Sequence, residues 1–318
     1  MTEFRDTVLI YNPRAGKFGG SGDSLLRPAI EILKQDGHSI TIAPTTGPAT
    51  AGDLARAHIA RGADLIVVAG GDGTINEVVG GMARSDVPLA ILPGGTANVL
   101  ATELKLGRDL EHTARRLGEF RPQRISVGCL TCDGGAERHF LLMAGIGLDA
   151  HIVYHINGPL KARIGKLAYW VAGWSLLGRR LTEFGVEIDG RERRCSFALL
   201  SKVRNYGGDF EIARTVTLFD DRFEVVLFEG RSTLSYVKYF AGMVSNRLRG
   251  MRGVTALQAD RVILTAPGGS AVYVQVDGES AGRLPAEIRI VPDALTLLVP
   301  PEYARQTGER PLAQPKHA

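Results

Sequence analysis

The chain has 318 residues, which suits two domains better than one core. Hydrophobic residues make up 44% and charged residues 23%, an ordinary globular balance. The formal net charge of +4 suits anionic partners such as nucleotides or an acidic membrane surface, and it is too small to argue for nucleic acid. Three cysteines do not make a disulfide framework. Cys129 and Cys132 form a C-x-x-C, but the sequence shows no second pair or histidine cluster to complete a zinc site, so a turn between strands is the better reading.

The opening residues Met1 to Asp6 carry mixed charge and run straight into a strand, unlike a signal peptide. The longest nearly apolar run, Leu167 to Gly178, falls short of the about 20 residues a spanning helix needs. The protein is therefore expected in the cytoplasm, with membrane contact at most peripheral.

Thr7 to Tyr11 reads as a buried strand. A glycine-rich loop follows, Asn12-Pro13-Arg14-Ala15-Gly16-Lys17, and then a helix to about Gln35, closed by Gly37. His38 to Ala43 is a strand and Ala49 to Arg61 a helix. Asp64 to Ala69 is a strongly apolar strand, Thr74 to Ala83 a helix, Pro88 to Leu92 a strand and Thr96 to Leu104 a short helix. Repeated βα units with continuous apolar strands predict a doubly wound parallel sheet covered on both faces. From about Arg124 the texture changes to short alternating segments: Arg124 to Leu130, His139 to Ala144, Phe184 to Ile188, Ser196 to Lys202, Phe223 to Phe228, Arg261 to Ala266, Ala271 to Val276 and Glu287 to Val291. These predict an antiparallel β-rich sandwich. Two helices interrupt it, Leu160 to Leu181 and one starting near Ser232. The first has basic ends and an aromatic, apolar middle. That suits a core helix of the second domain, and also a membrane surface or an acyl-chain cleft. The expected domains are residues 1–123, residues 124–303 and a disordered polar tail, 304–318.

Three glycine-rich loops each follow a predicted parallel strand: Asn12 to Lys17, Gly70-Gly71-Asp72-Gly73-Thr74, and Pro93-Gly94-Gly95-Thr96-Ala97-Asn98. In an open α/β sheet such loops gather at one edge, where ligands bind. Helix N-termini offer free N–H groups to phosphate, and glycines let the backbone approach it. One such loop alone is an ordinary turn or cap; three on one edge favour a phosphate site. No G-x-x-x-x-G-K-[ST] is present, and no G-x-G-x-x-G follows the first strand.

Gly70 to Val78 (G-G-D-G-T-I-N-E-V) resembles the signature of the diacylglycerol/sphingosine kinase family. Pro93 to Ala101 (P-G-G-T-A-N-V-L-A) is similar to that family's second motif, Val276-Asp277-Gly278-Glu279 to its D-G-E, and Gly207-Gly208-x-Phe210 with Asp220 to a fourth. Together they cover roughly Val8 to Pro300. The resemblance implies an ATP-dependent lipid kinase with Mg²⁺, a lipid acceptor at the membrane surface, and an active site between the two domains. It implies that Asn12, Thr45, Gly71, Asp72, Gly73, Thr74, Ile75, Asn76, Glu77, Gly95, Thr96 and Asn98 hold the nucleotide. Lys17 would sit near the phosphates, or is a solvated loop lysine; Lys166 matches a family lysine near the active site. Asp72 would act on magnesium at the transferring phosphate. Asp277 or Glu279 would take the proton of the lipid hydroxyl, although Asp277-Gly278 by itself reads as a hairpin turn. Thr217, Asp220 and Arg222 match a structural magnesium site, with Asp221 where the family has glycine. Val99 stands where many relatives carry aspartate. Two other readings stay open, an NAD kinase-like enzyme with a soluble acceptor and a non-catalytic nucleotide or lipid sensor. So do the identity of the lipid and pairing of two chains through a sheet edge.

Overall fold

The computed structural model describes residues 4–14, 16–18, 22–155, 180–206, 211–245, 247–268 and 271–307. The expected helix Leu160 to Leu181, with Lys166, therefore lies almost wholly outside the described residues, as do Gly207 to Phe210 and residues 308–318. The chain divides into two compact units, Met1–Val127 with Pro292–Ala318, and Gly128–Val291.

In the first unit, β1 (Asp6–Tyr11), β2 (Ser39–Pro44), β3 (Leu65–Gly70) and β4 (Leu89–Pro93) alternate with α1 (Gly22–Gln35), α2 (Ala51–Ile59) and α3 (Asp72–Met82). The strands are parallel in the order β2-β1-β3-β4. Every residue of β3 and β4 is buried, so their continuous apolar sequences are what a sheet covered on both faces demands. After β4 come two short helices, α4 (Val99–Glu103) and α5 (Leu110–Arg116). Helices α2 and α3 approach through glycine: a Cβ on Gly81 would lie 2.2 Å from the Gly52 carbonyl oxygen.

The second unit is antiparallel. One sheet, read from its edge, contains β12 (Val254–Ala259), β11 (Phe223–Phe228), β10 (Phe197–Ser201), β7 (Met143–Gly147), β14 (Tyr273–Val276) and β15 (Glu279–Arg283). The other runs in the order β16 (Ala286–Val299), β13 (Arg261–Thr265), β8 (Phe184–Ile188) and β9 (Arg191–Cys195), with β5 (Arg121–Cys132) also on β16 and β6 (Arg138–Phe140) on β5. Side chains from both sheets, among them Ile146, Leu200, Val225, Val262 and Ile288, form one apolar core. Helices α6 (Leu148–His155) and α7 (Thr233–Val244) complete the unit.

Several elements differ from their sequence reading. The expected strand His139 to Ala144 is two strands, because the chain leaves β5 after Phe140 and joins β10 and β14 from Met143. The segment expected at Glu287 to Val291 is part of β16, which runs on until Leu297 lies beside Leu89 of β4. Residues expected to start a disordered tail form α8 (Pro301–Thr307): Tyr303 and Ala304 are buried, and the Tyr303 hydroxyl donates to Glu103 Oε1 at 2.9 Å.

Candidate active site

Strands β1, β3 and β4 are neighbours and parallel, so the loops at their carboxyl ends meet at one edge of the sheet. They nest so closely that only glycine fits. A Cβ on Gly95 would stand 2.4 Å from the Gly71 Cα, and one on Gly16, at φ +36°, would stand 2.8 Å from the Gly94 oxygen. Asn98 fixes the third loop. Its backbone is left-handed, its Oδ1 accepts the Gly95 N–H at 2.8 Å and its Nδ2 donates to the Gly95 oxygen at 2.8 Å. This clasp turns residues 95–98 into a loop, so the helix starts at Val99 rather than at Thr96.

Asp72 follows the cap residue Gly71 of α3, yet its carboxylate serves the neighbouring helix. Oδ2 accepts the Val99 N–H at 3.1 Å and Oδ1 the Leu100 N–H at 3.2 Å. Burial pushes the Asp72 carboxyl above its ordinary value, against the opposing pull of these backbone donors. Glu77, one turn on, accepts from Ala49 N–H (2.8 Å) and Ala51 N–H (3.0 Å), which ties α3 to the start of α2. Asn12 turns its own loop, accepting the Arg14 N–H at 2.9 Å. Thr45 is buried just after β2, and Thr74 and Ile75 are buried in α3. Gly73 is part-exposed. Lys17 lies in a short 3₁₀ turn, Gly16–Phe18. Asn76 is 4% exposed, and its Oδ1 meets no hydrogen-bond partner among the described residues. A buried amide oxygen rarely goes unpaired, so an unmet acceptor here fits a ligand-bound site.

In the second unit, Asp277-Gly278 is the two-residue turn of the β14–β15 hairpin, with both residues at positive φ and Val276 opposite Glu279. The Asp277 carboxylate accepts three backbone donors: Leu141 N–H on Oδ2 (3.0 Å), and Leu142 and Met143 N–H on Oδ1 (3.0 and 2.8 Å). These amides lie where the chain crosses from one sheet to the other, so Asp277 supplies the partners that the interrupted strand lacks. Glu279 is part-exposed, and its Oε2 accepts from Arg138 Nη2 at 2.8 Å.

The Asp220 carboxylate closes on its own turn. Oδ2 accepts the Thr217 N–H (2.7 Å) and hydroxyl (2.8 Å), while Asp220 N–H donates to the Thr217 oxygen at 3.1 Å. The ammonium of Lys202, a fully buried residue, donates to the Asp220 carbonyl. Two of the expected oxygen donors, Thr217 and Asp220, are thus engaged within the protein, and a cation is already built in beside them. The Thr217 carbonyl and the Asp220 carboxylate are each held by the other residue across this turn, and the lysine ammonium lies beside them, an arrangement that disfavours a divalent metal there.

Residues 6–130 match the diacylglycerol kinase catalytic domain, and residues 143–299 match the YegS C-terminal NAD kinase beta sandwich-like domain. The chain belongs to the diacylglycerol kinase family. It is 28% identical to the diacylglycerol kinase of Bacillus subtilis (strain 168) over 309 residues, spanning 95% of this chain and 98% of that one. It is 27% identical to a diacylglycerol kinase of Mycobacterium tuberculosis over 303 residues, 94% and 96% of the two chains. Solved structures from Bacillus anthracis str. Sterne share the fold. One superposes with a TM-score of 0.80 at 22% identity, over 95% of this chain and 98% of that one. A second, titled a diacylglycerol kinase, gives 0.77 at 22%, over 95% and 99%. Among the described residues of this diacylglycerol kinase family member, no helix is long and apolar enough to cross a membrane.

Arg138, the 141–143 amides and Lys202 carry no functional signal in the sequence. Arg138 lies in an ordinary charged stretch, backbone donors carry no side-chain signature, and a lysine after an apolar strand reads as a solvated end.

Proposed function

We propose that this protein transfers the γ-phosphoryl group of ATP to the hydroxyl of a lipid, with diacylglycerol the first acceptor to test. The observation that carries the reading is the nest of three glycine loops at the carboxyl edge of the parallel sheet. Their close-packed backbone leaves N–H groups rather than side chains to meet phosphate. Asn12, Thr45, Thr74, Asn76 and Thr96 supply polar side chains around them. Magnesium enters with the nucleotide as its substrate complex, and its charge neutralises the β- and γ-phosphates. Asp72, anchored on two amides, holds a negative charge at a fixed place in that loop cluster.

Glu279 is the better candidate for the proton acceptor. Asp277 is buried and has its carboxylate committed to three amides, whereas Glu279 is part-exposed and paired with the Arg138 guanidinium. A base has to reach a hydroxyl at hydrogen-bond distance, and Glu279 has the accessible oxygens. Arg138 then acts as its positioning residue.

The test is transfer of radiolabel from γ-labelled ATP–Mg²⁺ to diacylglycerol, a sphingoid base and, separately, NAD. Labelled lipid from wild type and none from Glu279→Gln supports the proposal. Label in NAD alone assigns a soluble acceptor instead.

A further inference from the structure

Strands β5 and β6 bring three potential metal ligands together. Cys129 and His139 are directly opposed in the β5–β6 register. Glu137 lies two residues before His139, just ahead of β6. One ligand atom from each of Cys129, Glu137 and His139 lies within 4.8 Å of the others. Around a tetrahedral ion bonded at about 2.0–2.3 Å, ligand atoms sit roughly 3.3–3.8 Å apart, so small side-chain rotations close the set. Cys132, three residues from Cys129, packs on the apolar core with Leu130, on the other face of the strand. The C-x-x-C motif therefore does not chelate as a pair, and Cys129 finds its histidine across the strands instead.

We propose that Cys129, His139 and Glu137 bind one thiophilic divalent transition ion of the zinc class, with water as the fourth ligand. A sulfur, a nitrogen and a carboxylate oxygen select zinc or cobalt over magnesium. Cys129 and His139 supply the binding strength. Glu137 is also held by Arg289, in a pair whose two side chains are 44% and 34% exposed, and such a pair yields readily to a cation. The thiol releases its proton on binding, so affinity falls as pH is lowered. Glu137 and His139 flank Arg138, whose side chain reaches Glu279. An ion on this strand therefore also steadies the residue that holds Glu279.

The test needs no kinase activity. Chelator-stripped protein without a histidine tag is titrated with Zn²⁺ and with Co²⁺. One Zn²⁺ per chain and a near-ultraviolet thiolate-to-cobalt absorption are expected. Cys129→Ser loses the band, and Cys132→Ser keeps it. His139→Gln weakens Zn²⁺ binding by at least about tenfold, the loss that even an outer partner of a ligand causes. No thiolate band in wild type, or a band and stoichiometry unchanged in both Cys129→Ser and His139→Gln, overturns the site. Should Cys129→Ser fail to fold, the wild-type spectrum and the part-exposed His139→Gln decide.

Discussion

The Val99 backbone N–H donates to Asp72 Oδ2 at 3.1 Å. The aspartate that opens α3 is therefore also the anchor of α4, and it joins the loop after β3 to the loop after β4. The bond uses only the Val99 backbone; the side chain is buried. In this chain Asp72 is the carboxylate of that pair of loops.

Replacing Asp72 with Asn tests this double duty. An amide presents one acceptor where the carboxylate presents two, so one of the Val99 and Leu100 bonds is lost, at about 1 kcal/mol. The variant is expected to fold with a slightly lower Tm and to lose phosphoryl transfer. Near-normal turnover in folded Asp72→Asn would remove Asp72 from the mechanism.

The raised Asp72 carboxyl fixes the sign of a pH effect. The native state holds this proton more tightly than the unfolded chain does. Stability from this group is thus present on the acid side and is lost as pH rises through the folded value. Activity runs the other way, because the anion is the working form. The acid limb of kcat/KM, which reports the free enzyme, should therefore lie above the ordinary aspartate range, while the Tm of wild type should fall relative to that of Asp72→Asn as pH rises through the folded value. Identical Tm slopes would refute the assignment.

Two glycines should respond oppositely to alanine. In Gly95→Ala the new methyl meets the Gly71 Cα at 2.4 Å, and backbone cannot yield there as a side chain tip would. ATP binding, read by calorimetry, is expected to vanish. Gly80, inside α3, has nothing within 4 Å of an added Cβ. Gly80→Ala is expected to stabilise the fold by about 0.5–1 kcal/mol and to leave ATP binding intact.

The parallel unit was legible because periodicity and glycine punctuation report backbone geometry directly: β1, β3 and β4, and the loops after them, stand close to where the sequence puts them. The start of α4 was not. Thr96 is a good cap by type, and only the Asn98 clasp on Gly95 moves the helix three residues on. The break between β6 and β7 was hidden for a related reason. Leu141 and Leu142 continue an apolar run, and the carboxylate that lets the chain change sheets comes from Asp277, far away in sequence. In the same way, Asp277-Gly278 reads correctly as a turn, but its side chain's engagement with those amides has no local signal.

Lys202 makes a prediction about cations. Its ammonium donates to the Asp220 carbonyl inside the second unit. Added Mg²⁺, without nucleotide, should therefore leave the wild-type Tm unchanged. Lys202→Met deprives a part-buried carbonyl of a charged donor and should lower stability by about 1–3 kcal/mol. A rise in wild-type Tm on adding Mg²⁺ alone would restore the metal at Asp220.

Asp277 and Glu279 can be separated by isosteric amides. Asparagine at 277 keeps the positive-φ turn, which it tolerates well. It also keeps one oxygen for Leu142 and Met143, losing only the Leu141 bond. Asp277→Asn should therefore lose about 1 kcal/mol of stability and retain most of its kcat. Glu279→Gln gives up an ion pair between part-exposed groups, worth about 0–1 kcal/mol, so its Tm should barely move. Its kcat should fall by about 10²–10⁴-fold, the usual contribution of a general base. Asp277→Ala goes further than the asparagine variant: three amides at the sheet crossing lose their acceptor, each at about 1–3 kcal/mol, and stability and activity should fall together. If Asp277→Asn is inactive at wild-type stability while Glu279→Gln turns over normally, the base is Asp277, and its amide contacts must open during the reaction.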